Sequence, residues 1–376
     1  MSAAPSATKP ALSYAAAAGA KPAIMSDAAT YAAAAAAAAL RPRRTLHIVF
    51  HSHCIDGWFS AFIAHEYWRN WERYSDVDHV QMWPVSPNQE RTWPRAHRLR
   101  NDHVLLVDVT VSDAYLREWE SKTASLYCID HHLSAMPIWA ERLACCTLRT
   151  DRCAAWLTWE AFQPDIAPPE WVAMVDRIDR WCDVTAEDRA FRELMQNIAN
   201  NAAKLFTTKS LLDEVIIQTR FFLTHYITSA GHLRLLAEGR VFLAEKEAAT
   251  TALFDTLPTR TVELQEHHAA QWGLPSSWLG HTVFIIETTG ASLDSTEAAN
   301  RLFGTHTHID LFVSYRHKRY VRRDGYEERS VVYSVRAREG AGVDLTLGDL
   351  FAGHPCSAGG CKPLGEKEPA FLIGEA

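Results

Sequence analysis

Ser125-Leu126-Tyr127-Cys128-Ile129-Asp130-His131-His132 is a short, mostly apolar run that stops abruptly in one carboxylate and two imidazoles. The run predicts a buried strand, and the polar end predicts where that strand leaves its sheet. In open α/β folds, side chains at the carboxyl ends of strands face the ligand crevice. Carboxylate and imidazole together suit Mn²⁺, Fe²⁺ or Zn²⁺. A solitary Asp-His-His would fit a solvated turn equally well, so the neighbouring strands decide the reading.

Upstream, Leu46-His47-Ile48-Val49-Phe50 has the apolar continuity of a parallel strand. It runs into His51-Ser52-His53-Cys54-Ile55-Asp56-Gly57, with a helix expected from Trp58 to about Trp71. Gly57 is expected to free the backbone as the chain turns into that helix. A second strand is expected from His79 to Val85, followed by a polar helix ending near Arg100. The third, His103 to Val107, ends in Asp108, and a helix over Ser112 to Ser121 leads back to the opening run. Strand alternating with helix predicts a parallel sheet with crossover helices. Such a sheet brings His51, Asp56, Asp108, Asp130 and His131 to one edge. One acid at a strand end is commonplace; three strands ending in acids and imidazoles have the look of a metal cluster.

Helices are also expected from Cys153 to Phe162 and, opened by Pro168-Pro169, from Glu170 to Trp181. The latter carries Asp176, Arg177, Asp179 and Arg180, which fit either a charged solvated face or a further inward-turned ligand. From Glu187 to about Leu257 the pattern is helical, with a long helix around Leu233 to Phe254 and apolar stretches at Val215–Ile217 and Phe221–Leu223. Strand texture returns at His281–Ile286, Ile309–Tyr315 and Ser330–Val335, with a helix from Asp294 to Phe303. Between the last two strands, the basic run Arg316 to Arg323 and Asp324-Gly325 predict a charged hairpin tip. Phe351 to Gly360 reads as a Gly-rich loop able to approach an anion, or as a helix stop after Asp344–Leu350.

The chain's 376 residues allow two domains, and its net charge of −7 argues against a general nucleic-acid coat protein. Its eight cysteines form no CxxC pair and read as reduced core thiols, implying a reducing compartment. No apolar run approaches the roughly 20 residues of a membrane span, so a soluble, intracellular, cytoplasmic protein is expected. Residues 1–43 are Ala-rich and expected to lie outside the fold, as an organelle transit peptide or a low-complexity extension without targeting function.

These pieces in this order resemble the DHH phosphoesterase family, in its two-domain branch with a DHHA1 domain. The resemblance rests on His51-x-x-x-x-Asp56-Gly57, Asp108, Asp130-His131-His132, Ala155-x-Leu157-Thr158-Trp159-Glu160 and the Asp176–Trp181 segment. In the second half it rests on Ser334-Val335-Arg336, Val343-Asp344-Leu345 and Gly353-His354-Pro355-x-x-Ala358-Gly359. It implies a parallel-sheet DHH domain (residues 44–200), a helical connector (201–257) and a smaller α/β DHHA1-like domain (258–376). It further implies two Mn²⁺ ions, with Mg²⁺ or Co²⁺ as substitutes. His51, Asp56 and Asp108 would hold the first ion; Asp108 would bridge to a second held by His131 and Asp176, with Asp179 as the other choice. Asp130 would orient an imidazole and His132 would touch the scissile phosphate. Arg336, Gly353 and His354 would grip the substrate, a small nucleotide or short single-stranded oligonucleotide and not duplex DNA.

Two departures stand out. Where many members carry a second acid two residues after the first, this chain has Trp58, which cannot ligate. The usual run of glycines before the histidine is shortened to Ala352-Gly353. The expected activity is metal-dependent phosphoester hydrolysis; the alternative is a degenerate protein that binds nucleotide or RNA without cleaving it.

Overall fold

The first sheet owes its order to strands that are apolar on both faces. In the computed structural model of the chain, β1 (Arg44–His51) buries Leu46, Ile48, Val49 and Phe50 completely. The structure describes residues 44–52, 54–85, 93–205, 229–254, 256–268, 275–288, 293–321, 327–338, 340–345, 352–354 and 357–363. The Ala-rich tail, His53, Val215–Ile217 and Phe221–Leu223 therefore lie outside the described residues.

β1 pairs in parallel with β2 (Val77–Val85) and β3 (His103–Val107), β3 with β4 (Ser125–Asp130), and β4 with β5 (Cys146–Leu148). The spatial order is β2-β1-β3-β4-β5. Leu46, Ile48 and Phe50 pack beneath α1 (Ile55–Tyr67) with Leu157 and Phe162 of α3 (Ala154–Phe162). Val49, Val104 and Leu106 face the other way, toward Leu116 and Trp119 of α2 (Asp113–Glu120). A further apolar layer joins Phe59 and Ile63 of α1 to Trp171, Val172 and Val175 of α4 (Glu170–Arg180) and to Phe191 of α5 (Ala186–Leu205).

The start of α5 is fixed by a reciprocal cap. Thr185 Oγ1 accepts from Asp188 N at 3.1 Å, and Asp188 Oδ2 accepts from Thr185 N at 2.8 Å, which satisfies two otherwise orphaned donors. Arg177 of α4 grips both Asp188 oxygens at 2.9 and 2.8 Å. Burial raises the Asp188 carboxyl, but Arg177 and Thr185 outweigh it and hold the pKa below 3.8. Asp188→Ala is expected to destabilise the protein by about 3 kcal/mol, the lower end for breaking a buried pair, because Arg177 is 27% exposed. The folded pKa is depressed, so wild type holds this contribution above pH 3.8 and loses it as pH falls through the lower folded value. Urea melts at pH 7 and pH 3 check both: the gap between the proteins narrows at the lower pH.

α6 (Ser229–Phe254) crosses α5 closely enough that a Cβ on Gly239 would lie 2.1 Å from the Ala190 carbonyl oxygen. The second sheet has the order β10-β11-β9-β8-β7-β6. Its members are β6 (Thr259–Glu263), β7 (Thr282–Glu287), β8 (Leu311–Val321), β9 (Glu327–Ala337), β10 (Ala352–His354) and β11 (Ser357–Pro363). Only the β7–β8 pair is parallel, bridged by α7 (Ser295–Thr305). The molecule is thus α/β, with a parallel sheet, a second mixed sheet and helices between. No described helix is long and apolar enough to cross a membrane.

Two expectations change. β8 and β9 stay paired out to Val321 and Glu327, so most of the basic run is strand and not hairpin tip. The Gly353-His354 segment is neither an open loop nor a helix stop, since its backbone pairs with Ala358 and Ser357. β5 and β6 are too short or too polar to announce themselves as strands.

Helices α5 and α6 meet the start of α7 through charge. Arg192 Nη2 donates to Asp294 Oδ2 at 2.9 Å, Lys246 reaches the same oxygen, and Arg189 pairs with the buried Glu297. Asp294 also caps α7 by accepting from Thr296 N and Glu297 N at 2.9 and 3.0 Å. Burial raises its carboxyl, yet Arg192 and Lys246 hold it well below the usual range.

Candidate metal centre

Three neighbouring strands of the first sheet, β1, β3 and β4, hand over polar residues at the same edge. His51 closes β1, Asp108 follows β3 directly, and Asp130 closes β4 before His131 and His132. β1 and β3 are the neighbours at which the strand order reverses, where open α/β sheets form their crevice. Asp108 sits at φ 56°, in the left-handed region, with its N–H still donating to Ile129 O at 3.0 Å. Asp is among the few side chains that tolerate this conformation.

The side chains converge on His131. Its Nε2 lies 3.4 Å from Asp56 Oδ2, 3.3 Å from Asp108 Oδ1 and 3.4 Å from Asp179 Oδ2. On the far side of Asp108, Oδ2 is 3.6 Å from His51 Nδ1 and 2.8 Å from Cys54 Sγ. Asp56 is 1% exposed and is steered by the first turn of α3: its oxygens accept from Ala154 N at 2.8 Å and Ala155 N at 2.7 Å. Asp130 is fully buried and accepts from His131 N, His132 N, His132 Nδ1 and Thr110 Oγ1, at 2.7, 3.1, 2.7 and 2.8 Å. Trp139 Nε1 donates in turn to Thr110 Oγ1 at 3.1 Å. Asp130 thus orients the His132 imidazole and fixes the backbone of His131.

Asp176, the acid favoured from sequence, stands elsewhere. Its Oδ1 accepts from Cys153 N at 2.7 Å, and its Oδ2 meets Arg152 and Arg180 at 3.1 and 3.3 Å. These bonds tie α4 to the start of α3, and Asp179, one turn on, is the residue brought to His131. Trp58 has a packing role: its indole N–H donates to Ser52 O at 3.0 Å and its ring packs edge-on against Phe50. Cys54 is the residue that sequence reasoning missed. Unlike the fully buried Cys128 and Cys153, it sits at the β1–α1 corner, two residues from Asp56, and that position was the available signal.

The ionisation of the cluster follows its geometry. Burial raises Asp56 well above the carboxylate range, helped by the charges of Asp108 and Asp179. Burial also opposes the Asp108 charge, but hydrogen bonds with His131 and His51 win and hold it well below that range. Burial lowers His131, yet Asp179, Asp108 and Asp56 carry it well above its ordinary value. His132 is likewise lowered by burial but lifted to about 9 by Asp130.

Asp56, Asp108 and Asp179 repel one another at this distance, which favours protons on Asp56 and His131 wherever a cation does not take their place. Two unit charges 4 Å apart interact by about 4 kcal/mol at an effective dielectric of 20, enough to drive such proton uptake. Asp108 is buried and turns both oxygens to ligand-type side chains, Oδ1 to His131 and Oδ2 to His51 and Cys54, as a carboxylate bridging cations would. The donor set falls into three overlapping groups: Asp108, Asp130, His131 and His132; His51, Cys54 and Asp108; and Asp56, His131 and Asp179. Within each group the ligand atoms lie within 4.8 Å of one another. Carboxylate and imidazole in this density fit one or two divalent ions.

Arg336, Gly353 and His354 stand on the second sheet and not on the edge that carries Asp108. Arg336 donates to Thr296 Oγ1 at 3.3 and 3.2 Å, and burial pushes its pKa down to about 10. Two residues before it, and therefore on the same face of β9, Ser334 lines a polar cleft of about 160 Å³ with Thr288, Ser295, Ser314 and Tyr315.

No family model matches the chain, and no curated protein sequence matches it. Among solved structures it is similar to the crystal structure of an exopolyphosphatase-related protein from Bacteroides fragilis, at a TM-score of 0.40 and 10% identity, over 92% of this chain and 95% of that one.

Proposed function

We propose that the chain is a metal-dependent phosphoesterase of the DHH type that hydrolyses short single-stranded oligonucleotides or small nucleotides. The observation that carries this reading is the convergence of Asp56, Asp108 and Asp179 on a single nitrogen of His131. His51 and Asp108 would hold one ion, and Asp56, Asp179 and His131 the other, with Asp108 in reach of both. Divalent ions bound there would neutralise the phosphate and supply a water that ionises near neutral pH.

The remaining roles belong to the chain itself. Asp130 commits His132 Nδ1 to its own carboxylate, so Nε2 is the atom that meets the phosphate or leaving oxygen. A proton held at Nε2 would pass to that oxygen as the ester bond breaks. The Ser334–Arg336 face of β9 would take a terminal phosphate or base, Arg336 providing a buried positive charge. The acids and imidazoles at the ends of β1, β3 and β4 favour hydrolysis over binding alone, although Trp58 adds no ligand.

The test is a panel of dinucleotides, short RNAs, cyclic dinucleotides and phosphoadenosine phosphate, each with Mn²⁺, Mg²⁺ or Co²⁺. Metal-stimulated release of product from at least one member is expected. Saturable nucleotide binding with no turnover under any metal would instead establish the binding-only protein.

A further inference from the structure

We infer that Cys54 ligates the ion held by His51 and Asp108 as a thiolate, and that it biases that position toward Zn²⁺ or Co²⁺ over Mn²⁺ or Mg²⁺. This rests on the metal-centre reading above and specifies its chemistry. Cys54 Sγ lies 2.8 Å from Asp108 Oδ2, and the ligand atoms of Cys54, His51 and Asp108 lie within 4.8 Å of one another. The three donors face one point: the same Oδ2, on a 1%-exposed side chain, also lies 3.6 Å from His51 Nδ1, so an ion taking the place of the thiol proton would meet all three.

Helix capping does not account for the sulfur. Cys54 is the N-cap of α1 and accepts from Gly57 N at 3.1 Å, but Ser, Thr, Asp and Asn perform that task better. Core packing does not account for it either. Cys128 and Cys153 are enclosed in apolar clusters, whereas Cys54 is half-buried beside carboxylates. Thiolate is a soft donor that selects zinc-like ions, while an all-oxygen set favours Mg²⁺ or Mn²⁺. Binding involves no redox change: the S–H proton leaves to solvent as the metal–sulfur bond forms.

The experiment is a Co²⁺ titration of reduced wild type, Cys54→Ser and Cys54→Asp, followed by absorption. Serine and aspartate preserve the cap, and circular dichroism verifies the fold. Wild type is expected to show visible d–d bands together with a near-ultraviolet thiolate-to-cobalt band. Cys54→Ser is expected to keep the former and lose the latter. Cys54→Asp should shift the Zn²⁺-to-Mn²⁺ preference toward Mn²⁺ by about tenfold or more in competition. Visible bands without the thiolate band in wild type, or a thiolate band surviving in Cys54→Ser, would overturn the cysteine ligand and leave the metal centre standing. Absence of every cobalt band from wild type would overturn both.

Discussion

Asp108→Asn is expected to lower turnover by about 10³-fold or more while leaving the fold intact. Asparagine is the right replacement because residue 108 sits at φ 56°. Asn and Asp tolerate the left-handed region, whereas alanine there would add about 1–2 kcal/mol of strain and confuse a chemical effect with a structural one. The substitution removes one negative charge and one ligand oxygen and keeps the shape. It acts on both halves of the cluster at once, since Oδ1 faces His131 at 3.3 Å while Oδ2 faces His51 and Cys54 at 3.6 and 2.8 Å. The measurement is kcat on whichever panel member is hydrolysed, alongside a thermal melt. Turnover within tenfold of wild type would remove Asp108 from the centre of the mechanism.

Gly57→Ala is expected to destabilise the protein by about 3 kcal/mol and to weaken metal binding together with stability. A Cβ there would lie 2.3 Å from the His51 carbonyl oxygen and 3.0 Å from His51 Cβ. The obstructing atom is backbone at the end of a central strand and cannot yield, so α1 must move. Asp56, the preceding residue, moves with it and leaves the 3.4 Å contact to His131. Gly304 serves as the control: it is in α7, a Cβ there meets nothing within 4 Å, and Gly304→Ala should be neutral or mildly stabilising. Melting temperature and Co²⁺ affinity, measured on both variants, decide the matter. A drop of about 5 °C or more is expected for Gly57→Ala alone.

The sequence exposed the strand ends because each places its polar residue immediately after an apolar run, so position along the chain already implied position in space. The same logic failed at Gly57, where the need for glycine is room against His51 and not a special backbone angle. It failed differently at Asp176 and Asp179, one helical turn apart. The choice between them depends on Cys153 N, Arg152 and Arg180, which tertiary structure brings around Asp176. Cys54 was hidden because sulfur in a mixed sequence context reads as packing. The glycines near 353–360 lack β propensity, yet β11 is held between two partners whose pairing overrides it.

Arg192 takes part in two neighbourhoods at once. Its guanidinium lies 5.8 Å from the Trp181 ring, just beyond Asp179, and it also holds Asp294, whose helix presents Thr296 to Arg336. A continuous run of interlocked side chains therefore ties the helix that carries Asp179 to the strand that carries Arg336.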